Sequence, residues 1–346
     1  MQAGTTIAVS DVHLDSWQQQ EPQTYAAKCS AFLSFLDWVA HAGRAEHFVI
    51  AGDLLDVPPG QTRVEGQLLT EVGNRLGTLM RRGVRVHYLS GNHDIGLAGV
   101  GCHIPGVPVE IASRTVISSG DGRIAFEHGH LLDAWLWEFA RRSAARCAPS
   151  SLPAVADWFA REGPEPEASD SVGGYLHDCL FAAMQWRPMT VGFTPEEQRW
   201  GLRAMGLHLD DDFADVAGPG EAVPHQAEIM SLTAALNLSV RDLQSDGALP
   251  GEALELFWPL GRRYYSPLPW RRAARRRLSA LRRQDPAVSG LVMGHSHAAD
   301  RYCWTEDGQR LQYANCGTWL GDSGSYVSVR SGELTAHGRS WKDPLP

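Results

Sequence analysis

"HFVIAGD", residues 47–53, is a short apolar run that stops abruptly at Gly52-Asp53. Its length and its Val and Ile content fit a strand buried on both faces, and it delivers a carboxylate where the hydrophobic pattern ends. Upstream, "TTIAVSDVH" (5–13) is a run of the same kind that stops at Asp11. Between the two, "AFLSFLDWVAHAG" (31–43) places Phe32, Phe35, Leu36 and Val39 on one helical face, closed by Gly43 just past the last turn. Downstream, a second helix is expected over Val64–Arg82, and "VRVHYLSGNHD" (84–94) reads as a third strand that breaks at Gly91. Strand, helix, strand, helix, strand predicts an α/β unit.

The pattern continues with "GRIAFEHGH" (122–130), a strand entered through the turn residues Gly120, Asp121 and Gly122. From about Leu131 to Asp285 the character changes to helical periodicity rich in Trp, broken by loops at "EGPEPEASDSVGG" (162–174) and "AGPGEAVP" (217–224). Strands return with "GLVMGHSH" (290–297). Two hairpins follow, "RYCWTEDGQRLQYANCG" (301–317) and "YVSVRSGELTAHG" (326–338), with polar turns at Asp307-Gly308 and Ser331-Gly332. The expected organisation is a core formed by residues 1–130 and 290–346, interrupted by a mostly helical cap insertion at 131–289.

A length of 346 residues, 43% hydrophobic and 21% charged composition and a net charge of -9 describe a folded globular chain and exclude a disordered or fibrous one. The first ten residues lack a basic stretch followed by a long apolar one, and nowhere do about 18 uncharged apolar residues run together. The expected location is the cytoplasm. The six cysteines show no C-x-x-C spacing, which argues against a zinc ribbon or a redox pair.

Five strand ends present side chains of one chemical kind: Asp11 and His13; Asp53 and Asp56; Asn92, His93 and Asp94; His128 and His130; His295 and His297. A single strand-end histidine is most often structural. Five clusters in succession, each following an apolar run, are not explained by loop polarity. In open α/β sheets the crevice beyond the carboxyl ends of the strands is where ligands bind, so the five are expected to converge. Carboxylate, imidazole and carboxamide donors suit a borderline-to-hard divalent transition metal, with Mn, Fe and Zn all admissible. The donors exceed one site's needs, which points to two ions about 3.5–4 Å apart sharing a carboxylate. Residues i and i+2 at a strand end share a side, so His295 and His297 are expected to meet the two ions from one edge, with Ser296 turned away.

D-x-H, G-D-x-x-D, G-N-H-D, H-G-H and G-H-x-H in this order resemble the calcineurin-like metallophosphoesterase superfamily. "NCGTW" (315–319) also resembles a segment common after the last motif. The resemblance implies a four-layer αββα sandwich, here carrying the helical cap, and an enzyme that hydrolyses phosphate esters or anhydrides with two divalent metal ions. Carried over by position, it implies that Asp11, His13 and His297 hold one metal and Asn92, His128 and His295 the other, with Asp53 bridging. His130 is the alternative to His128. It further implies a metal-bridging hydroxide as nucleophile and His93 as general acid, with Asp56 orienting the His93 imidazole.

Specificity is expected to lie in the insertion. Between Leu256 and Gln284 there is no acidic residue, whereas nine arginines occur from Arg262 to Arg283. Trp270, Ala274, Leu278 and Leu281 share a face of a helix expected to start near Pro269 and end before Pro286. One reading is a surface helix whose arginines pair with the acidic remainder of the chain. The other is attraction to an anionic membrane or to substrate phosphate through the 262–283 segment, with the protein peripheral to the inner face of a membrane. Trp135, Trp137, Trp158 and Trp186 read as core. The expected partner is a phosphorylated small-molecule or lipid-linked substrate, with no obligate protein partner. A distant similarity is to the UDP-2,3-diacylglucosamine pyrophosphatase group, from which this chain departs in G-N-H-D for G-N-R-D, H-G-H for H-G-D and a longer insertion. The alternatives are a nuclease or phosphodiesterase acting on nucleic acid and a non-catalytic scaffold with this fold.

Overall fold

The computed structural model describes residues 4–14, 22–41, 45–55, 66–91, 93–94, 109, 111–132, 267–320 and 323–340. Asp56, Asn92, nearly all of the predicted insertion including Trp135, Trp137, Trp158 and Trp186, and Arg262 and Arg263 lie outside the described residues.

Three apolar runs become parallel neighbours: β1 (Thr5–Val9), β2 (Ala45–Ala51) and β3 (Arg85–Leu89), joined by α1 (Pro22–His41) and α2 (Gln67–Arg81). The short strand β4 (Ile111–Ala112) extends this sheet at β3. On its other side β1 pairs antiparallel with β10 (Ser323–Arg330), itself hairpinned to β11 (Glu333–Ser340). Thr5 lies opposite Arg330, so the two ends of the sequence close one six-stranded sheet, ordered β11-β10-β1-β2-β3-β4.

A second sheet of five strands contains β5 (Arg114–Ser119), β6 (Gly122–Glu127), β7 (Val288–Met293), β8 (Asp300–Glu306) and β9 (Gln309–Asn315). Its order is β5-β6-β7-β9-β8, with β6, β7 and β9 parallel and the two edge strands antiparallel. The anticipated turns Asp307-Gly308 and Ser331-Gly332 carry positive φ at both residues (50° and 74°; 49° and 79°), the backbone that matches strand twist in a two-residue hairpin.

Burial divides into two cores. Phe32, Phe35, Leu36 and Val39 of α1 and Leu69, Val72, Leu76 and Leu79 of α2 join Ile7, Phe48, Ile50 and Tyr88 in one cluster on the helix side of the first sheet. Alternate residues of the same strands, Ala8, Val49, Ala51 and Leu89, join Ile117, Ile124, Phe126 and Val292 in a second cluster between the sheets. The two-residue side-chain period of a strand explains the division, and burial on both faces explains the unbroken apolar runs.

The helix α3 (Pro267–Gln284) supplies the fourth layer. Its face Trp270, Ala274, Leu278 and Leu281 is buried, as the spacing predicts. Arg277 makes a bidentate contact to Glu127 at the end of β6, Ser279 reaches Glu306, and Arg282 donates to Gln309 and to the carbonyl of Val288. The described residues of α3 from Ala274 onward therefore pack on the second sheet, in one compact unit with the described strands. Helix, sheet, sheet, helix is the αββα arrangement.

Candidate metal centre

The carboxyl ends of β1, β2, β3, β6 and β7 each lead into one of the predicted clusters. The chain does not simply run on as strand. Among the described residues, seven non-glycine positions have positive φ; two are the hairpin turns, and the other five are Asp11 (53°), His13 (50°), Asp53 (53°), His295 (66°) and His297 (55°). Asp and His are among the side chains that tolerate the left-handed region. Holding it at five neighbouring positions costs about 1–3 kcal/mol each and is sustained by surrounding structure, a pattern concentrated at functional sites.

That surrounding structure is visible bond by bond. The loops after β1 and β2 run side by side, with the amides of Val12 and His13 donating to the Asp53 carbonyl at 2.8 and 3.0 Å and that of Leu14 to Leu54 at 3.0 Å. The Asp11 carbonyl accepts from the Trp319 amide at 3.0 Å and from Thr318 Oγ1 at 2.9 Å, which gives "NCGTW" a role in fixing Asp11. Asp11 Oδ2 accepts the His295 amide at 2.9 Å. Two glycines allow this closeness. A Cβ at Gly294 would lie 2.4 Å from Asp11 Oδ2, and one at Gly52, whose φ is +88°, would lie 2.5 Å from His128 Nδ1.

Three groups of ligand atoms lie within 4.8 Å of one another: Asp11, His13 and His297; Asp11, Asp53 and His128; and His13, Asp53 and His93. Asp11, Asp53 and His13 each belong to two of the three, and the two carboxylates are at most 1% exposed. His297 Nε2 is 3.0 Å from Asp11 Oδ1, and His128 Nε2 is 3.2 Å from Asp53 Oδ2. His128 Nδ1 lies 2.8 Å from the Ala51 carbonyl, which can only accept, so the proton sits on Nδ1 and Nε2 is turned to the cluster. This settles the orientation of His128. The ring of His295 stands against that of His128 at 5.2 Å between centroids, and His130 lies 5.4 Å from His128 and 6.3 Å from His295. Neither belongs to the three ligand-atom groups.

The strand-alternation argument for His295 and His297 does not describe how they arrive there. β7 ends at Met293, both histidines are left-handed, and Ser296 is 2% exposed with its amide bonded to the Gly294 carbonyl at 2.8 Å. A tight turn, rather than an extended edge, brings His297 to Asp11.

The donor set fits divalent cations. Two buried carboxylates share one site; anions so placed require positive charge beside them. Burial alone raises the Asp11 pKa, but His297 and His128 outweigh it and hold the group at about 2. Asp53 is likewise held well below the carboxylate range, burial being overcome by His128 and His93. In return Asp53 and Asp11 overcome the effect of burial on His128 and push it up to about 9. A cation held by Nε2 would displace the second proton of the imidazolium and leave the one on Nδ1. Apparent Mn²⁺ affinity is therefore expected to rise from about pH 6 to about pH 9, with calorimetric enthalpies that depend on the buffer's ionisation heat. Affinity indifferent to pH over that range would contradict the electrostatic coupling.

Sequence reading counted Asp94 among the strand-end donors without assigning it a task, and passed over Ser10. Asp94 is 1% exposed and accepts the Tyr88 hydroxyl at 2.6 Å, the Gly91 amide at 2.6 Å and the Leu54 amide at 3.0 Å. Burial, reinforced by the Asp53 charge, raises its pKa to about 6. Ser10 Oγ donates to the Ala51 carbonyl at 2.8 Å and lies 3.3 Å from His128 Nδ1. Asp94 was visible as part of "GNHD", but its Leu54 partner lies on the loop after β2, which only folding brings near.

The family model for calcineurin-like phosphoesterases matches residues 4–205, and the chain belongs to that family. UDP-2,3-diacylglucosamine hydrolase of Porphyromonas gingivalis is 29% identical over 120 residues, covering 30% of this chain. That alignment spans 41% of the relative's length. A solved predicted phosphoesterase from Streptococcus pneumoniae overlays at a TM-score of 0.34 with 10% identity, covering 100% of this chain and 94% of its own. Vacuolar protein sorting 29 from Cryptosporidium parvum overlays at 0.34 with 10% identity, covering 98% and 97%. At these TM-scores the overlays carry no weight, and the fold rests on the two-sheet order and the family match.

Proposed function

We propose that the chain hydrolyses a phosphoanhydride or phosphate ester of a nucleotide- or lipid-linked substrate at a centre of two divalent ions. The observation that carries the reading is the sharing of buried Asp11 and Asp53 among three overlapping ligand-atom groups. Asp11, His13 and His297 would hold one ion; His128, with His295 beside it and Asn92, would hold the other, with Asp53 common to both. When bound, Mn, Fe or Zn ions supply positive charge for the phosphoryl oxygens and a water of lowered pKa as nucleophile.

The chain's own residues supply the rest. His93 stands edge-on to His13 at 4.8 Å between ring centroids, and its amide donates to Asp53 Oδ1 at 2.8 Å. Anchored by its backbone, it can aim its imidazole at the departing oxygen and deliver the proton that group needs. Asp56 would orient that ring. His128, its tautomer held by Ala51, remains a ligand and not a proton carrier.

A diphosphate joining a nucleoside to a lipid is the substrate class most in keeping with the named activity of the P. gingivalis relative. Arg277 and Arg282 are engaged within the core, so contact with an anionic surface would fall to groups such as the exposed Arg276, in a protein peripheral to the cytoplasmic side of a membrane. To test this, metal-stripped protein is reloaded separately with Mn²⁺, Fe²⁺, Zn²⁺ and Co²⁺ and given monoesters, diesters, nucleotide-sugars and lipid-linked nucleoside diphosphates. Metal-dependent turnover strongest on the last class is expected. Faster cleavage of oligonucleotides or simple monoesters would overturn the substrate class, and activity persisting in fully stripped protein would overturn the metal chemistry.

A further inference from the structure

Two loops that deliver the proposed chemistry are locked together by an exchange of backbone bonds. Asp53, on the loop after β2, accepts the His93 amide at 2.8 Å. Asp94, on the loop after β3, accepts the Leu54 amide at 3.0 Å. Each loop's carboxylate thus takes the other's N–H, one residue apart in both cases. The Asp94 side of the exchange is also tied to its own strand and turn: Oδ2 accepts the Tyr88 hydroxyl at 2.6 Å, and Oδ1 accepts the Gly91 amide at 2.6 Å.

We infer that Asp94 is a positioning residue that sets His93 at a fixed distance from Asp53 by clamping the Leu54 and Gly91 amides. The inference rests on the reading of His93 as proton donor. Its function lies in the number of acceptors. Three donors converge on two oxygens of a group that is 1% exposed, with no room for exchange with bulk water. A carboxylate accepts on both sides, whereas an asparagine accepts on one and presents an NH₂ to the other. Whichever way the carboxamide of an Asp94→Asn variant turned, either Gly91 or Leu54 would face a donor, and the buried amide left over would push the loops apart.

The test compares Asp94→Asn with Leu278→Ala, a cavity-forming change in α3 at a residue outside the two loops, so that lowered stability alone has its own signature. Amide hydrogen exchange is read at Leu54, Gly91 and His93, and turnover is read on phenyl phosphate and p-nitrophenyl phosphate. A p-nitrophenolate departs with little help from an acid; a phenolate needs the proton. For Asp94→Asn, protection at the His93 amide is expected to fall about 10-fold or more. Turnover of the phenyl ester is expected to fall about 10–100-fold, with a much smaller loss on the p-nitrophenyl ester and full metal stoichiometry. Leu278→Ala should lower Tm without changing the ratio of the two esters. Unchanged protection at His93 in Asp94→Asn, or equal losses on both esters, would overturn the inference. If His93→Ala itself fails to separate the esters, the proton-donor reading is what fails, and exchange at His93 still decides whether Asp94 is the clamp.

Discussion

Asp53→Asn is expected to abolish metal-dependent hydrolysis and to weaken binding of the second ion by at least about 100-fold, beyond the usual cost of losing an outer-shell partner. Asp53 Oδ2 is within reach of both His13, at 3.8 Å, and His128, at 3.2 Å. Asparagine nearly preserves its shape and can still accept the His93 amide. It cannot keep a negative charge between two cations, and it can turn an NH₂ group toward His128 Nε2. Isothermal titration with Mn²⁺ gives the result directly. Two ions bound with wild-type affinity in this variant would show that Asp53 is not shared between them.

His93→Ala is expected to act in the opposite manner, keeping both ions while turnover falls about 10²–10⁴-fold, the usual contribution of a positioned acid. The contrast is needed because one of the three ligand-atom groups contains His93 together with His13 and Asp53. If His93 is a ligand, metal content falls along with the rate. If it is the proton donor, metal content is retained and the loss grows as the leaving oxygen becomes more basic. Metal analysis and turnover of the same sample separate the two, and unchanged turnover would remove the acid role altogether.

The strand ends were legible in the sequence because Ile7–Val9, Phe48–Ala51 and Ile124–Phe126, buried on both faces, are unbroken apolar runs near the ends of their strands. Asp11, Asp53 and His128 therefore stand out against the runs before them, and they do meet. The turns Asp307-Gly308 and Ser331-Gly332 were legible for a local reason, since both residues of each must accept positive φ. What could not be read is whatever depends on the partner. β5 was missed, its "RTVISS" being a half-buried edge strand without a clean alternation. The buried face of α3 was evident from its spacing, yet periodicity does not name what covers a face; the structure sets residues from Ala274 onward against the second sheet. His295 and His297 were placed by a strand rule in a segment that is a left-handed turn. Asp94 fared similarly, for a carboxylate in "GNHD" looks like one more candidate ligand until three donors from Tyr88, Gly91 and Leu54 are seen to fill it.

Anomalous diffraction from crystals grown with Mn²⁺ tests the central claim most directly. Two peaks about 3.5–4 Å apart are predicted, one in contact with Asp11, His13 and His297 and the other with His128, with Asp53 touching both. A single peak, or peaks remote from Asp11 and Asp53, would contradict the two-metal centre.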